Sequence, residues 1–197
     1  MPDSPRAASR PTPADLRRAQ RRTLPDVIGP GLSVLFCGIN PGLYSTAVGH
    51  QFARPGNRFW KALHASGFTD RLFSPFEDAR LPSLGLGITN LCPRTTATAD
   101  ELTATEIARG GRELAAKVME YRPRMVAVLG IGAYRLAFGP TDAVVGPQRD
   151  RIGDSAAWVL PNPSGLNAHY GLESLTQHFR ALRDHATLRR GGGRRRR

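Results

Sequence analysis

Short runs of consecutive apolar residues that stop at glycine or proline are the feature that most limits how this chain can fold. In the run Met125–Leu129 every residue is apolar, and Gly130 follows. A run without polar alternation is typical of a strand buried on both faces, as in a parallel sheet. Strands are predicted near residues 33–38, 85–91, 124–130 and 156–161, with an edge segment at 149–152. Helices are predicted near residues 57–66, 104–121, 131–138 and 171–188. This alternation predicts a three-layer α/β/α sandwich with a mostly parallel central sheet.

The positive charge of the chain is concentrated at its two ends. The net charge is +12 over 197 residues, yet residues 24–188 contribute only +2. Residues 1–23 hold six arginines against two aspartates, and residues 189–197 hold six arginines and no acid. This distribution predicts one folded domain at 24–188, a basic, disordered arm at 1–23 and a flexible Arg-rich tail at 189–197. Such arms commonly contact nucleic acid, and 14–22 could become a basic helix on binding; a solvated arm without a partner is the alternative.

Several classes of protein are excluded by what the sequence lacks. No apolar run approaches the roughly 20 residues of a membrane span, and no signal peptide opens the chain, so we expect a cytoplasmic protein. The two cysteines, Cys37 and Cys92, and the five histidines lack the spacing of a disulfide framework or a metal site. Gly130 and Gly132 begin a dinucleotide-binding pattern, but Arg135 stands where its third glycine belongs. We therefore expect no metal and no cofactor.

Two of the predicted strands run directly into loops that carry polar residues. The first strand ends in Gly38-Ile39-Asn40-Pro41-Gly42, and the last ends in Pro-Asn-Pro-Ser-Gly-Leu at residues 161–166. Ligands of open α/β sheets bind outside the carboxyl ends of the strands, so Asn40 and Asn162 are candidate site residues. An asparagine amide both donates and accepts, which suits it to hold a water molecule or to read the edge of a base. The alternative is that both asparagines are ordinary turn residues.

A third segment lies between these two loops, and its sequence at residues 49–60 is Gly-His-Gln-Phe-Ala-Arg-Pro-Gly-Asn-Arg-Phe-Trp. In type, order and spacing the three segments resemble the motifs of the mismatch-specific uracil-DNA glycosylase and thymine-DNA glycosylase family, within the uracil-DNA glycosylase superfamily. Weaker similarity extends over residues 28–188 and includes residues 89–91 and 94–96. Two cysteines cannot supply the four thiolate ligands that the iron–sulfur branch of that superfamily needs.

The resemblance implies a monofunctional DNA glycosylase that initiates base excision repair. Such an enzyme flips uracil, or a related damaged pyrimidine, out of mismatched duplex DNA, preferentially from G·U, and hydrolyses the N-glycosidic bond. The sugar gains oxocarbenium character while the base leaves as an anion, so both charges need stabilisation and water must reach C1′. By resemblance, Asn40 positions that water, Thr96 helps to hold it, and Asn162 donates to O2 of the leaving base. Thr96 could instead be an ordinary loop cap.

The resemblance also implies which residues bind the pyrimidine. Phe52 would stack on the flipped base, and the backbone N–H groups of Phe52 and Ile39 would read its edge. Ser45 and Gln51 would lie near pyrimidine C5, with Asn57 behind them. Thymine-processing relatives carry histidine where this chain has Gln51, so we expect uracil to be preferred over thymine. Phe52 could instead belong to the hydrophobic core.

The tip of the last loop is where the resemblance places the contact with the opened duplex. Leu166 is expected to fill the space that the flipped base leaves, and Gly165 to contact the opposite strand through its backbone. Residues 167–170 depart from the bacterial pattern, which has an arginine in this loop; His169 could substitute for it or simply pack in the loop. The expected partner is double-stranded DNA with a mismatched or damaged pyrimidine, bound by a nucleoid-associated monomer. A damage-binding module without catalysis and another α/β nucleotide-binding enzyme are the alternatives.

Overall fold

A five-stranded sheet forms the centre of the structure, a computed structural model that describes residues 10–166 and 169–191. Its strands are β1 (Val34–Gly38), β2 (Leu86–Asn90), β3 (Met125–Leu129), β4 (Gly146–Ile152) and β5 (Ser155–Leu160). They lie in the order β2-β1-β3-β5-β4, and every pairing is parallel except that of the edge strand β4 with β5. The predicted fold class and the predicted strands are confirmed.

Both faces of the sheet are buried because the central strands carry apolar residues at nearly every position. All residues of β1 and of β3 are buried. Side chains alternate between the faces of a strand, so Phe36 and Ala127 join one core while Cys37 and Val128 join the other. Cys37 acts there as a small apolar residue, and burial raises the pKa of its thiol. The unalternated apolar runs therefore reflect the position of the sheet between two layers of helices.

Helices cover the two faces of the sheet. They are α1 (Pro13–Ala19), α2 (Leu43–Val48), α3 (Phe59–Ala65), α4 (Ala104–Tyr121), α5 (Ile131–Phe138) and α6 (Leu172–Gly191), with 3-10 turns at Pro75–Leu84 and Ala99–Glu101. The apolar sides of α3 and α6 pack in the core that contains Phe36, whereas those of α4 and α5 pack in the core that contains Cys37. The four predicted helices are confirmed, while the sequence pattern does not predict α2 or the 3-10 turns. Within the described ranges, no helix has both the length and the apolar character needed to cross a bilayer.

The N-terminal segment differs from the disordered arm expected at residues 1–23. Residues 13–19 form helix α1, which packs against α2. Thr12 and Asp15 form a capping box that satisfies N–H groups at the start of the helix, and Ala19 is fully buried. The expectation of disorder does not hold for this helix, because a run of arginines carries no information about a cap or a buried contact at its borders.

Parts of both charged ends lie outside the described residues, namely residues 1–9 and 192–197. Residues 189–191 continue the backbone of α6. The domain boundaries at residues 24 and 188 stay predictions.

Candidate active site

The carboxyl ends of four strands, β1, β2, β3 and β5, open into one cavity of about 500 Å³. Nine of the ten residues that the sequence indicates for the site line this cavity. They are Ile39, Asn40, Ser45, Gln51, Phe52, Asn57, Thr96, Asn162 and Leu166. The tenth, Gly165, does not line it. Loops far apart in the chain meet here because parallel strands all end at the same edge of the sheet.

The amide of Asn40, just after β1, has a fixed orientation. Its Nδ2 donates to Thr96 Oγ1 at 2.6 Å and to the backbone oxygen of Arg94 at 2.9 Å. A backbone carbonyl only accepts, so the NH₂ end must face residues 94–96 and the Oδ1 end must face away from them. The Thr96 hydroxyl in turn donates to the backbone oxygen of Thr98 at 2.7 Å. Thr96 therefore orients Asn40 directly.

The segment 94–96 is itself tied to the loop after β1. Leu43 N–H donates to Thr96 O, and Thr96 N–H donates to Pro41 O, both at 3.2 Å. On the other side, Arg94 Nε donates to Glu106 Oε1 at 2.7 Å, near the start of α4. The guanidinium of Arg94 holds the pKa of Glu106 at about 2, so this carboxylate is ionised at neutral pH. The two loops form one hydrogen-bonded unit around Asn40.

An aromatic ring and a glycine form the floor of the cavity. Phe52 has a backbone φ of +53°, a left-handed conformation that is uncommon for a residue with a side chain. Its ring stacks on that of Phe59 with centroids 4.3 Å apart, and the residue is only partly buried. A Cβ atom at Gly38 would lie 3.3 Å from Phe52 Cζ and 2.5 Å from Asn90 Oδ1, so a side chain at position 38 would disrupt this floor. Phe52 packs against the core, as the alternative interpretation expected, and also lines the cavity.

Asn90 is a residue of the cavity to which sequence reasoning assigned no role. It ends β2 and pairs in register with Gly38 of β1. Its Nδ2 donates to Gln51 Oε1 at 3.2 Å, while its Oδ1 lies over Gly38. The signal that could have found it is the parallel pairing of β1 with β2, which places a polar strand end beside the loop that carries Asn40.

The side chains expected near pyrimidine C5 form hydrogen bonds to backbone groups of the protein. Gln51 is only 2% exposed, and its Nε2 donates to the backbone oxygen of Pro25 at 2.9 Å. Ser45 Oγ accepts from the N–H of Ala53 at 3.0 Å. Asn57 Oδ1 accepts from the N–H of Phe59 at 2.9 Å, at the start of α3. These side chains shape the loop 49–58 from within as well as lining the cavity.

The loop after β5 combines a local turn with an exposed tip. Asn162 Oδ1 accepts from the N–H of Ser164 at 2.9 Å, so the asparagine does form the turn that was the alternative interpretation. Leu166 is 66% exposed, although it lines the cavity. A Cβ atom at Gly165 would lie 2.7 Å from the backbone oxygen of Gly56, so this glycine permits close approach of two loops. His169 is exposed and also lines the cavity.

Arg58, another residue without a predicted role, holds this loop at both ends. Its guanidinium donates to the backbone oxygen of Ser164 and, at 2.5 Å, to that of Tyr170. The N–H of Arg58 also donates to Pro163 O at 3.0 Å. Arg58 therefore anchors the loop at Ser164 and at Tyr170, the last of the residues that depart from the bacterial pattern. Residues 167 and 168 lie outside the described part of the chain.

Charged groups are few around the cavity. Asp100 is the only carboxylate among the described residues that line it, and it is exposed. Nowhere in residues 10–166 and 169–191 do three or more His, Cys, Asp or Glu side chains form a group that could hold a metal ion. The polar chemistry of this site is therefore carried mainly by neutral amides, hydroxyls and backbone groups.

An α/β domain with a cavity at the strand ends and the sequence motifs that surround it point to one class of protein. The model of the Uracil DNA glycosylase superfamily matches residues 25–186, and the chain belongs to that superfamily. Its members are DNA glycosylase hydrolases that act on DNA. Membership indicates uracil-DNA glycosylase activity with DNA as the partner.

Proposed function

We propose that this protein is a monofunctional, mismatch-specific enzyme of the mismatch-specific uracil-DNA and thymine-DNA glycosylase family. It flips uracil, or a related damaged pyrimidine, from mismatched duplex DNA, preferentially from G·U, and hydrolyses the N-glycosidic bond to initiate base excision repair. The observation that carries this proposal is the fixed amide of Asn40, which lines a cavity with an aromatic floor at the carboxyl end of β1.

Hydrolysis needs a water molecule aimed at C1′ of the sugar. Because Asn40 donates through Nδ2 to Arg94 and Thr96, its Oδ1 is the atom that accepts a hydrogen bond from that water. A neutral amide is a weak base, so Asn40 orients the water for attack on the oxocarbenium-like sugar and does not deprotonate it beforehand. Thr96 holds the Asn40 amide and retains a second lone pair for the same water.

The flipped base binds between the floor and the loop after β5. Phe59 covers one face of the Phe52 ring, and the base stacks on the other. Asn90 Oδ1 accepts from the N3–H of uracil, and the backbone N–H groups of Ile39 and Phe52 read the pyrimidine edge. Because Asn162 Oδ1 accepts from Ser164, its Nδ2 is the end that donates to O2 of the departing anion.

DNA is held and opened by groups outside this pocket. Leu166 inserts into the stack at the site of the flipped base, which suits an apolar side chain that is 66% exposed at a loop tip. Gly165 contributes a backbone contact to the opposite strand. Arg17 and Arg21 are exposed on or just after α1, close in sequence to Arg22, whose backbone oxygen accepts from Thr95 beside Thr96. These arginines bind phosphates, and the enzyme acts as a monomer.

A panel of five substrates tests the proposal: duplexes that carry U·G, T·G, U·A or ethenocytosine, and single-stranded DNA that carries uracil. We expect the fastest base release from U·G and slower release from T·G. Duplex binding without release of any base would indicate that the protein is a damage-binding module and not an enzyme. Failure to bind DNA, together with a thermal shift produced by nucleotides, would favour an α/β nucleotide-binding enzyme of another type.

A further inference from the structure

The side chain of Gln51 joins the N-terminal segment to the end of β2 through two hydrogen bonds, which together fix the orientation of its amide. Its Nε2 donates to Pro25 O at 2.9 Å, and its Oε1 accepts from Asn90 Nδ2 at 3.2 Å. The backbone oxygen of Pro25 can only accept, so the amide of Gln51 cannot be reversed without the loss of that bond. With Gln51 fixed, Asn90 must present its NH₂ to Oε1 and its carbonyl oxygen to the space over Gly38.

Pro25 and Asn90, which the Gln51 side chain connects, are also connected through contacts of their neighbours in the chain. Lys117 of α4 donates through Nζ to Thr89 Oγ1 at 2.8 Å and to the carboxylate of Asp26. Asp26 follows Pro25 in the chain and Thr89 precedes Asn90, so the contacts close a ring that starts and ends at Gln51. In addition, Val27 and Ile88 exchange backbone hydrogen bonds of 2.8 and 2.7 Å. The oxygen of Pro25 is therefore held in place relative to β2.

Gln51 itself is anchored independently of its side chain. Its backbone N–H donates to Asp78 Oδ2 at 3.0 Å, and its backbone oxygen accepts from Trp60 Nε1 at 3.1 Å. Asp78 is 5% exposed and Gln51 2% exposed, so water does not compete for these groups. A buried polar group without its partner is costly, which makes the orientation of each amide in the ring depend on the others.

We propose that Gln51 is a positioning residue that locks the Asn90 amide with its carbonyl oxygen toward the cavity, so that the site favours pyrimidines with an N–H at ring position 3 over cytosine. Uracil and thymine carry that N–H, whereas N3 of cytosine is a bare acceptor and would face the Asn90 oxygen unpaired. Gln51 thus acts through Asn90 and does not itself contact C5 of the base. The proposal rests on the base-binding role proposed for the cavity.

Two substitutions at position 51 separate this role from packing. Gln51→Met keeps the length of the side chain but removes the acceptor for Asn90. Gln51→Glu keeps an acceptor for Asn90 whether it is ionised or protonated, and when protonated it also donates to Pro25 O. Both variants perturb the same buried position, so they form a matched pair, and the melting temperature of each reports the structural damage.

The measurement is the ratio of single-turnover release rates for 5-fluorouracil and 5-fluorocytosine, placed opposite the same base in otherwise identical duplexes. Fluorine makes both bases better leaving groups, so that both rates can be followed. We expect Gln51→Met to lower this ratio by about tenfold, the value of roughly one buried hydrogen bond. We expect Gln51→Glu to retain most of the wild-type ratio. Lys117→Met, at a part-exposed position, should lower the ratio in the same direction by a smaller factor.

An unchanged ratio in Gln51→Met, or an equal loss in Gln51→Met and Gln51→Glu, would overturn the proposal that Gln51 orients the Asn90 amide. Should Gln51→Met unfold below the assay temperature, the ratio in Lys117→Met decides in the same way. A wild-type protein that releases neither base refutes the proposed function together with this role of Asn90. If the wild-type protein releases 5-fluorouracil and the variants keep the wild-type ratio of the two release rates, only the orienting role of Gln51 is refuted.

Discussion

Asn40 and Leu166 both line the cavity, but the protein holds them in different ways. The Asn40 amide has two partners in the segment 94–96, and Thr96 beside it is 1% exposed. Leu166 is 66% exposed, and its own hydrogen bond is a local one, from its N–H to Ser164 Oγ at 3.3 Å. Arg58 anchors its loop at Ser164 and Tyr170, on either side of the tip. The comparison distinguishes a hydrogen-bonded region, where we propose that the bond is cleaved, from an exposed apolar tip, which we propose enters the DNA stack.

The largest effect is expected from Asn40→Ala, which tests the hydrogen-bonded region. Removal of the amide should slow single-turnover release of uracil by about 100-fold or more, because an interaction made in the transition state is lost. Binding to the same duplex should change little. Asn40→Asp, which adds a base, should retain more activity than Asn40→Ala. Asp100→Asn is the control for a carboxylate in the cavity that acts as the proton acceptor in place of Asn40, and it should have a small effect.

An Asn40→Ala enzyme with wild-type turnover would remove the proposed water-positioning role. A loss in Asp100→Asn as large as that in Asn40→Ala would instead assign the water to the carboxylate.

Leu166→Ala tests the exposed tip and should have a smaller, substrate-dependent effect. Extrusion costs most when the target base is well stacked and paired, so release from U·A should slow by about tenfold, release from U·G less, and release from single-stranded DNA least. The melting temperature should stay near that of the wild type, because the side chain contributes little to the core. A core role predicts equal slowing on every substrate and a free energy of unfolding lower by about 2–5 kcal/mol.

Charge on α1 extends the comparison to the part of the surface that would hold DNA. Arg17→Gln combined with Arg21→Gln removes two exposed charges and leaves the capping box of α1 intact. We expect weaker duplex binding and a slope of log K against log salt that is flatter by about 1 to 2. The single-turnover rate at saturating enzyme should not change. Arg112→Gln combined with Arg149→Gln is the matched control. An equal change in both double variants would show that α1 makes no specific contact with DNA.

The smallest effect is expected from the exposed ion pair behind the segment 94–96. The hydrogen bond from Arg94 lowers the pKa of Glu106 from 4.5 to about 2. A lowered folded-state pKa stabilises the protein above the unfolded-state value, and this contribution is lost as the pH falls from 4.5 toward 2. Glu106→Gln should therefore flatten the decline of melting temperature in that range and leave the neutral rate of uracil release nearly unchanged. An identical acid profile in wild type and variant would contradict this assignment.

Much of the framework of the site is readable from the sequence because it depends on local patterns. An unalternated apolar run must be buried on both faces, so strands such as β3 could be predicted almost to the residue. Polar residues directly after such strands must lie at the same edge of a parallel sheet, which is why Asn40 and Asn162 line one cavity. The exposed position of Leu166 follows in the same way from its place at the tip of a short loop.

Tertiary structure alone decided which polar atoms face the cavity. Asn40 meets Thr96 across 56 positions of the chain, and Gln51 meets Pro25 across 26 and Asn90 across 39. A residue's type states that an amide can donate and accept, but not which end points to the substrate. That choice depends on acceptor-only backbone oxygens supplied by distant segments, and only the folded chain brings those segments within hydrogen-bonding distance.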